Sequence, residues 1–433
     1  MVTFRLSGLR WHLRLQRTLA FGTLLGVGVL CAVFLTKTVF LGSDSAQHYS
    51  DVWYISDQIF HHARLPLHIQ YLDSGRALSY PYAVVPYTVT AVPFALFGDR
   101  AVTVAMVLGF VLYGYAATRA RPVLRDPRLL ALIYINTYLI EGFLSFQFAF
   151  IWACVFFFLC VEAIDKRLWL PAAIWAILAV TTHPFAGAAA VGGYSVYAVV
   201  RRPRDIVPLG SAMAVAALIV LPYALYIRTD PSIGDTKTSY IIGTLKYMVR
   251  FRGIALVLPL IVAPLAPVLR PLFLPAFLTL AAIFGVRLLH KDVNTYGLNH
   301  NSAPFYGEFL KSPQFDRSLT YRVLEPNDRE DGAYQLIKQG AVLGQEFFDQ
   351  SQFRRWWYSL DMYSCFLGAK NIDVVFFETE YKWKFNQNEQ WPLGEFAKQG
   401  KVRVLYTDPL GRFVAYDVRG AKMAGARLSD CGF

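Results

Sequence analysis

Apolar runs separated by short basic segments fill the chain as far as about residue 290, and there the alternation stops. A helix that crosses a bilayer needs roughly 20 apolar residues. Nine runs approach that length: Leu19–Leu41, Ala101–Ala117, Leu129–Glu141, Leu144–Val161, Leu168–Thr182, Pro184–Val200, Val207–Ile227, Ile254–Leu269 and Pro271–Val286. A tenth run, Tyr80–Phe97, contains Pro81, Pro86 and Pro93, and proline breaks helices. Hydropathy alone leaves its crossing undecided. The first run is too long for a cleaved leader and lacks a small-residue exit, so it reads as an anchor.

Charge decides the tenth run. Arg5, Arg10, Arg14 and Arg17 precede the first span and predict a cytoplasmic N-terminus. If Tyr80–Phe97 stays on one side, then Arg119, Arg121, Arg125 and Arg128 are also inside. The same holds for Lys166 and Arg167, for Arg201, Arg202 and Arg204, and for Arg270. If it crosses, all of them fall outside. The pattern therefore predicts an α-helical polytopic membrane protein of about nine transmembrane helices, with Tyr80–Phe97 as an external juxtamembrane helix. The C-terminus is then outside. One cluster breaks the rule: Arg228, Lys237, Lys246, Arg250 and Arg252 would be external. Such an exception calls for an anion, either a substrate phosphate or lipid headgroups.

Composition agrees with the membrane reading. Of 433 residues, 55% are hydrophobic and 17% charged, against about a quarter charged in soluble domains. The net charge of +12 sits in membrane-flanking segments and so does not point to nucleic acid. Cys31, Cys154 and Cys160 lie in apolar runs and read as packing residues. Past Arg287 the chain turns polar, and residues 289–433 read as a small soluble α/β domain appended to a transmembrane domain, residues 1–288. In it "IDVVFFET" is strand-like, and "KVRVLYTDPLGRFVAYDV" is a hairpin around Asp408-Pro409-Leu410-Gly411. "AYQLIKQG" and "RRWWYSLDMYSCFLGAKN" are helical. Cys365 and Cys431 are a candidate pair in an oxidising compartment.

The candidate chemistry clusters on one predicted face. Residues 42–100 form a long external loop, counted here with the transmembrane domain, that holds Asp44, His48, Asp51, Asp57 and Asp73. Glu141, and His183 in "TTHPF", reach the same side. Ionisable residues at a membrane boundary are costly and tend to be functional. Plainer roles exist for each. Asp44 in "GSDSAQH" is a good helix N-cap, and His48 and Asp51 are then solvated residues of that helix. His183, before Pro184, marks the break between two spans, because the residue before proline avoids the α region. His61, His62 and His68 suggest metal, but adjacent histidines do not share a helix face, and no metal site is expected.

Read in order, these features resemble a family. An Arg-rich start, a first span and an external Asp are followed by Arg64-Leu65-Pro66, Tyr80-Pro81-Tyr82 and Phe97-Gly98-Asp99. This is similar to the start of the C superfamily of membrane glycosyltransferases (GT-C), which use polyprenyl-phosphate sugars. The "GSDxxxH" form, Gly42 to His48, also resembles uncharacterised bacterial members, including those called 6-pyruvoyl-tetrahydropterin synthase-related. The resemblance covers roughly residues 1–290. The paired acid of some relatives is missing, since Ser45 and Ala46 follow Asp44.

The resemblance implies an inverting transfer of sugar from a polyprenyl-phosphate donor to a glycan, lipid or protein acceptor outside the cytoplasm. Asp44 would be the base, with His48, His183 and Glu141 around it. Asp51, Arg64 and Tyr80, and the external cations Arg228, Lys237, Lys246, Arg250 and Arg252, would bind substrate. The sequence requires no cofactor; a divalent cation is compatible with it. The expected setting is a bacterial inner or plasma membrane, with membrane lipids as further partners. Two other classes stand beside this one: a catalytically silent GT-C-like scaffold that binds a partner through its external domain, and a transporter of lipid-linked sugars.

Overall fold

The computed structural model describes residues 2–36, 45–64, 68–69, 76–77, 84–141, 148–229, 253–290, 306–323, 331–344, 359–378 and 384–431. The chain forms two compact units. Unit 1 is Met1–Phe40 with Ser79–Asn299, and unit 2 is Leu41–Leu78 with His300–Phe433. Most of the loop that the sequence grouped with the spans therefore belongs to the C-terminal unit.

In chain order the helices begin with α1 (Val2–Leu35), α2 (Ser45–His62, in unit 2), α3 (Val84–Phe97) and α4 (Arg100–Ala120). Unit 1 continues with α5 (Pro127–Glu141), α6 (Phe148–Asp165), α7 (Trp169–Thr182), α8 (Pro184–Arg201) and α9 (Ile206–Thr229). It closes with α10 (Gly253–Val262), the single turn α11 (Ala266–Leu269) and α12 (Phe273–His290). Among the described residues four helical stretches are long and apolar enough to cross a membrane: Leu13–Leu35, Arg100–Ala120, Phe148–Asp165 and Pro203–Pro222. Shorter apolar helices are Val85–Phe97, Trp169–Thr182 and Phe273–Ile283. The run 254–269 breaks at residues 263–265, where Pro264 follows Pro259 by little more than a turn.

One end of unit 1 is ionic. Glu162 accepts from Arg119 Nε and Nη2 at 2.9 and 2.7 Å and from Lys166 Nζ at 2.6 Å. Asp165 accepts from Arg121 at 2.6 Å and from the Tyr194 hydroxyl at 2.9 Å. Asp205 pairs with Arg167 and Arg202, each at 3.3 Å. Asp126 takes Arg128 Nη2 and Arg270 Nε, each at 2.8 Å, and Arg128 donates to Gln16 Oε1 at 3.1 Å. Burial alone would raise the Asp126 carboxyl, but the hydrogen bonds and charges of Arg128 and Arg270 outweigh it and hold the group low. The basic clusters around residues 119–128, 166, 202 and 270 thus meet at one end, together with Gln16 of α1. These pairs also explain why α6 runs to Asp165, beyond the last apolar residue of its run.

Helix α3 stays in the opposite half. Tyr87, in its first turn, stacks on Phe148, the first residue of α6, with centroids 5.4 Å apart. Its last residue, Phe97, leads through Gly98 and Asp99 into the start of α4, the end remote from Arg119. Both ends of α3 therefore lie away from the ionic end.

Unit 2 is built on a five-stranded sheet in the order β4-β3-β5-β7-β6. The strands are β3 (Thr320–Val323), β4 (Val342–Leu343), β5 (Val374–Glu378), β6 (Arg403–Thr407) and β7 (Phe413–Asp417); a separate pair joins β1 (His68–Ile69) to β2 (Arg76–Ala77). β4, β3 and β5 are parallel, while β7 and β6 form an antiparallel hairpin. Helices α13 (Gly307–Lys311), α14 (Asp331–Lys338), α15 (Leu360–Ala369) and α16 (Lys384–Lys398) complete it. One core gathers aromatic rings: Tyr306 stacks on Phe376 at 4.4 Å, and Phe309 meets Phe376 edge-on at 5.0 Å. A second core joins Tyr363, Phe366 and Leu367 of α15 to Val375, Phe396 and Val418. A disulfide links Cys365 of α15 to Cys431.

The reason residues 41–78 belong here is α2. Tyr49, Val52, Tyr54 and Ile55 are buried, and Tyr49 packs against Tyr334 of α14 with centroids 5.7 Å apart. The helix gives its apolar surface to a partner nearly 300 positions away in the chain.

Candidate functional site

The candidate residues divide between the two units. On α2, His48 and Asp51 stand one turn apart and are 1% and 0% exposed. Ser50, Ser56 and Gln58 are buried beside them. The expected alternative, a solvated external helix, does not describe this segment: α2 is embedded along most of its length and carries its polar groups inward. Buried ionisable groups must be compensated, which makes this the most chemically loaded part of α2.

The C-terminal end of α2 is ordinary by contrast. Asp57 receives His61 Nδ1 at 3.0 Å and Gln58 Nε2 at 3.0 Å. Arg64 is exposed and closes the helix end, its Nε donating to Gln58 Oε1 at 2.6 Å and its backbone N–H to the Gln58 carbonyl. Among the described residues no group of three or more His, Cys, Asp or Glu is placed to hold a metal ion.

In unit 1, His183 occupies the break between α7 and α8. Its ring is buried, and Nδ1 accepts the Ala186 N–H at 3.4 Å as the N-cap of α8, with Pro184 in the first helical position. Proline suits that position because its missing N–H would go unused there. Phe150 meets the imidazole edge-on at 5.7 Å. Gly187, one turn on, lets α8 approach α7 so closely that a β-carbon would collide with the Ala179 carbonyl. His183 is thus held as a cap, at the break that the following proline marks.

Glu141 is the last residue of α5 and Arg228 lies in the last turn of α9; their side chains are outside the described residues. Asp44, Tyr80, Lys237, Lys246, Arg250 and Arg252 lie outside the described residues altogether. α2 begins at Ser45, immediately after Asp44 in the sequence.

One charged cluster escapes the sequence reading. Arg322 on β3 is 1% exposed and donates from Nε to Glu389 Oε1 at 3.0 Å. The Tyr363 hydroxyl donates to Glu389 Oε2 at 2.7 Å, and the Arg322 guanidinium lies 4.8 Å from the Phe366 centroid. Burial, then the neighbouring Glu389 charge, push the Tyr363 hydroxyl well above its usual value. Its one sequence signal is a lone arginine between Tyr321 and Val323 in a short apolar strand.

Comparison with family models, with curated proteins and with solved structures finds no match to this chain.

Proposed function

We propose that this chain is a GT-C-like membrane glycosyltransferase of about nine spans. It moves a sugar from a polyprenyl-phosphate donor to an acceptor outside the cytoplasm. In this reading the ionic end of unit 1 faces the cytoplasm, and unit 2 is extracytoplasmic. Chain connectivity supports that placement: only residues 36–44 join α1 to α2, far fewer than the roughly 20 that a membrane-spanning helix needs. The Cys365–Cys431 disulfide supports it too, because disulfides persist in oxidising compartments.

The acceptor oxygen attacks the anomeric carbon as the bond to the lipid phosphate breaks, and configuration inverts. The acceptor proton goes to Asp44, and the phosphate leaves with its lipid. Arg228, Lys237, Lys246, Arg250 and Arg252 supply the cations that such a leaving group needs. The observation that carries the reading is α2, which starts directly after Asp44 and buries both His48 and Asp51. Buried ionisable groups are costly unless compensated, and they concentrate at functional sites.

The test is Asp44→Asn. Asparagine keeps the size and the capping ability of aspartate, so only the base is lost. Transfer from a polyprenyl-phosphate sugar should fall by about 10²–10⁴-fold with the melting temperature unchanged. Asp57→Asn is the control, since that carboxylate is accounted for by His61 and Gln58. Asp51→Asn is unsuitable, because Asp51 is buried. Wild-type turnover in Asp44→Asn would remove Asp44 as the base. It would favour the scaffold reading, which the packing of α2 against α14 also accommodates.

A further inference from the structure

The β6–β7 hairpin carries a cleft at the end remote from its turn, and nothing in the transfer reading uses it. Its lining is Gly400, Lys401, Arg403, Asp417, Arg419 and Gly420, and its volume is about 330 Å³. We infer that this cleft binds the phosphoryl group of an anionic ligand, either a small soluble phosphate or a phospholipid headgroup.

The register of the hairpin builds the cleft. Arg403 opens β6 and stands opposite Asp417, which closes β7. The turn before β6 and the turn after β7 therefore meet. They meet tightly: a β-carbon on Gly420 would stand 2.6 Å from the Lys401 carbonyl oxygen, so only glycine fits.

Three cations face one carboxylate here, and that carboxylate is already occupied. Asp417 is buried. Its Oδ2 accepts from Arg403 Nε at 2.9 Å and from Arg419 Nη2 at 2.8 Å. Its Oδ1 accepts from Arg419 Nε at 3.0 Å and from the Arg419 backbone N–H at 3.2 Å. Hydrogen bonds from Arg419 are the main cause that holds the Asp417 pKa at about 2. Asp417 thus fixes two guanidinium planes without covering them.

What remains points outward. A guanidinium has five N–H donors in a planar fork. Both arginines spend Nε and Nη2 on Asp417, which leaves Nη1 of each for a ligand. Lys401 is exposed; its ammonium rests 5.5 Å from the Phe396 centroid and has no carboxylate partner among the described residues. Nearby acids are engaged elsewhere: Asp373 by Lys422 at 2.6 Å, and Asp316 by Ser318 at 2.7 Å. Oriented guanidinium forks joined by an ammonium match the tetrahedral oxygens of a phosphoryl group. A volume at the lower end of small-molecule sites suits one or two phosphates and excludes an extended polymer.

The test uses the full chain in phosphatidylcholine nanodiscs, titrated with inorganic pyrophosphate at constant ionic strength against chloride. The expected result is a saturable rise in the melting temperature of unit 2. Lys401→Gln/Arg403→Gln should bind at least about tenfold more weakly, since charge-assisted hydrogen bonds are lost. Should that variant melt early in chloride, Lys401→Glu replaces it, because Lys401 is exposed and pairs with no acid among the described residues. Repeating the titration in nanodiscs that contain phosphatidic acid separates the two sources: weakened pyrophosphate binding identifies a lipid headgroup, and unchanged binding a soluble phosphate. No saturable binding by the wild type, or variant binding equal to wild type, overturns the inference. Neither result is read at Asp44, so failure of the transfer reading and failure of this inference are separate outcomes.

Discussion

Glu162 and Glu389 each bind an arginine, in opposite surroundings. Glu162 lies in the last turn of a membrane-length helix; its own side chain is 9% exposed, but its partners Arg119 and Lys166 are 42% and 55% exposed. Glu389 and Arg322 are both sealed inside unit 2, at 3% and 1%. The first pair fastens helix ends where water and salt reach its cations, so its energy is small and its information lies in where it places the charges. The second has given up all hydration and persists because each lone pair is filled, by the Arg322 fork and by the Tyr363 hydroxyl. Breaking either pair removes one contact. Only in the second does it disturb a charge that water cannot reach.

The largest effect should therefore come from Glu389→Ala. Removal of one partner from a buried pair costs about 3–5 kcal/mol, and here it also takes away the acceptor of the Tyr363 hydroxyl bond. Pulse proteolysis of unit 2 in the full chain would read it. The sharper form is Arg322→Met/Glu389→Leu, which removes both charges and should recover most of the loss, since apolar replacement of buried pairs is often neutral or better. A double variant as unstable as the single one would mean that the cluster stabilises unit 2 through its specific geometry and not through charge compensation.

Next in size is the Cys365–Cys431 bridge, which closes 66 residues of chain. Cys365→Ser/Cys431→Ser, or reduction of the wild type, should cost unit 2 about 2–4 kcal/mol. The ionic end of unit 1 contains no part of that loop and should melt as before. A loss shared equally by both units would contradict their independence.

The contrast also explains which features the sequence revealed. The β6–β7 hairpin and β5 were legible, because period-two alternation and the Asp408 turn are local signals. The break at His183 was legible from the proline that follows it, though not the capping bond that the imidazole makes there. The grouping of basic clusters around 119–128, 166, 202 and 270 was legible because charge is read position by position. α2 was misassigned because its partner, α14, lies far along the chain, so no local pattern announces that His48 and Asp51 turn inward. Arg322 and Glu389 are 67 positions apart, and an isolated arginine in a strand looks solvated. Helix α6 overran its predicted end because apolar counting stops at Glu162, while ion pairs carry the helix to Asp165. Asp44 and the cations of 237–252 fall outside the described residues, and their roles rest on the sequence alone.

The smallest effect is expected at Lys166. Its ammonium reaches Glu162 at 2.6 Å from one turn away, close enough to look important. Exposed pairs of this spacing nevertheless contribute only about 0.3–0.5 kcal/mol, because the ammonium is well solvated without its partner and holding the long side chain costs entropy. Glu162 keeps Arg119 when Lys166 is replaced, so the carboxylate is never stranded. Lys166→Gln should therefore leave the thermal unfolding of unit 1 unchanged within about 1 kcal/mol, and raised salt should erase even that difference. Arg119→Gln should cost more than Lys166→Gln, since Arg119 grips Glu162 through two nitrogens and ties α4 to α6. If Lys166→Gln destabilised unit 1 as much as Glu389→Ala destabilises unit 2, the exposure of Lys166 would not weaken its hold on Glu162, and the distinction between the two ion pairs would fail.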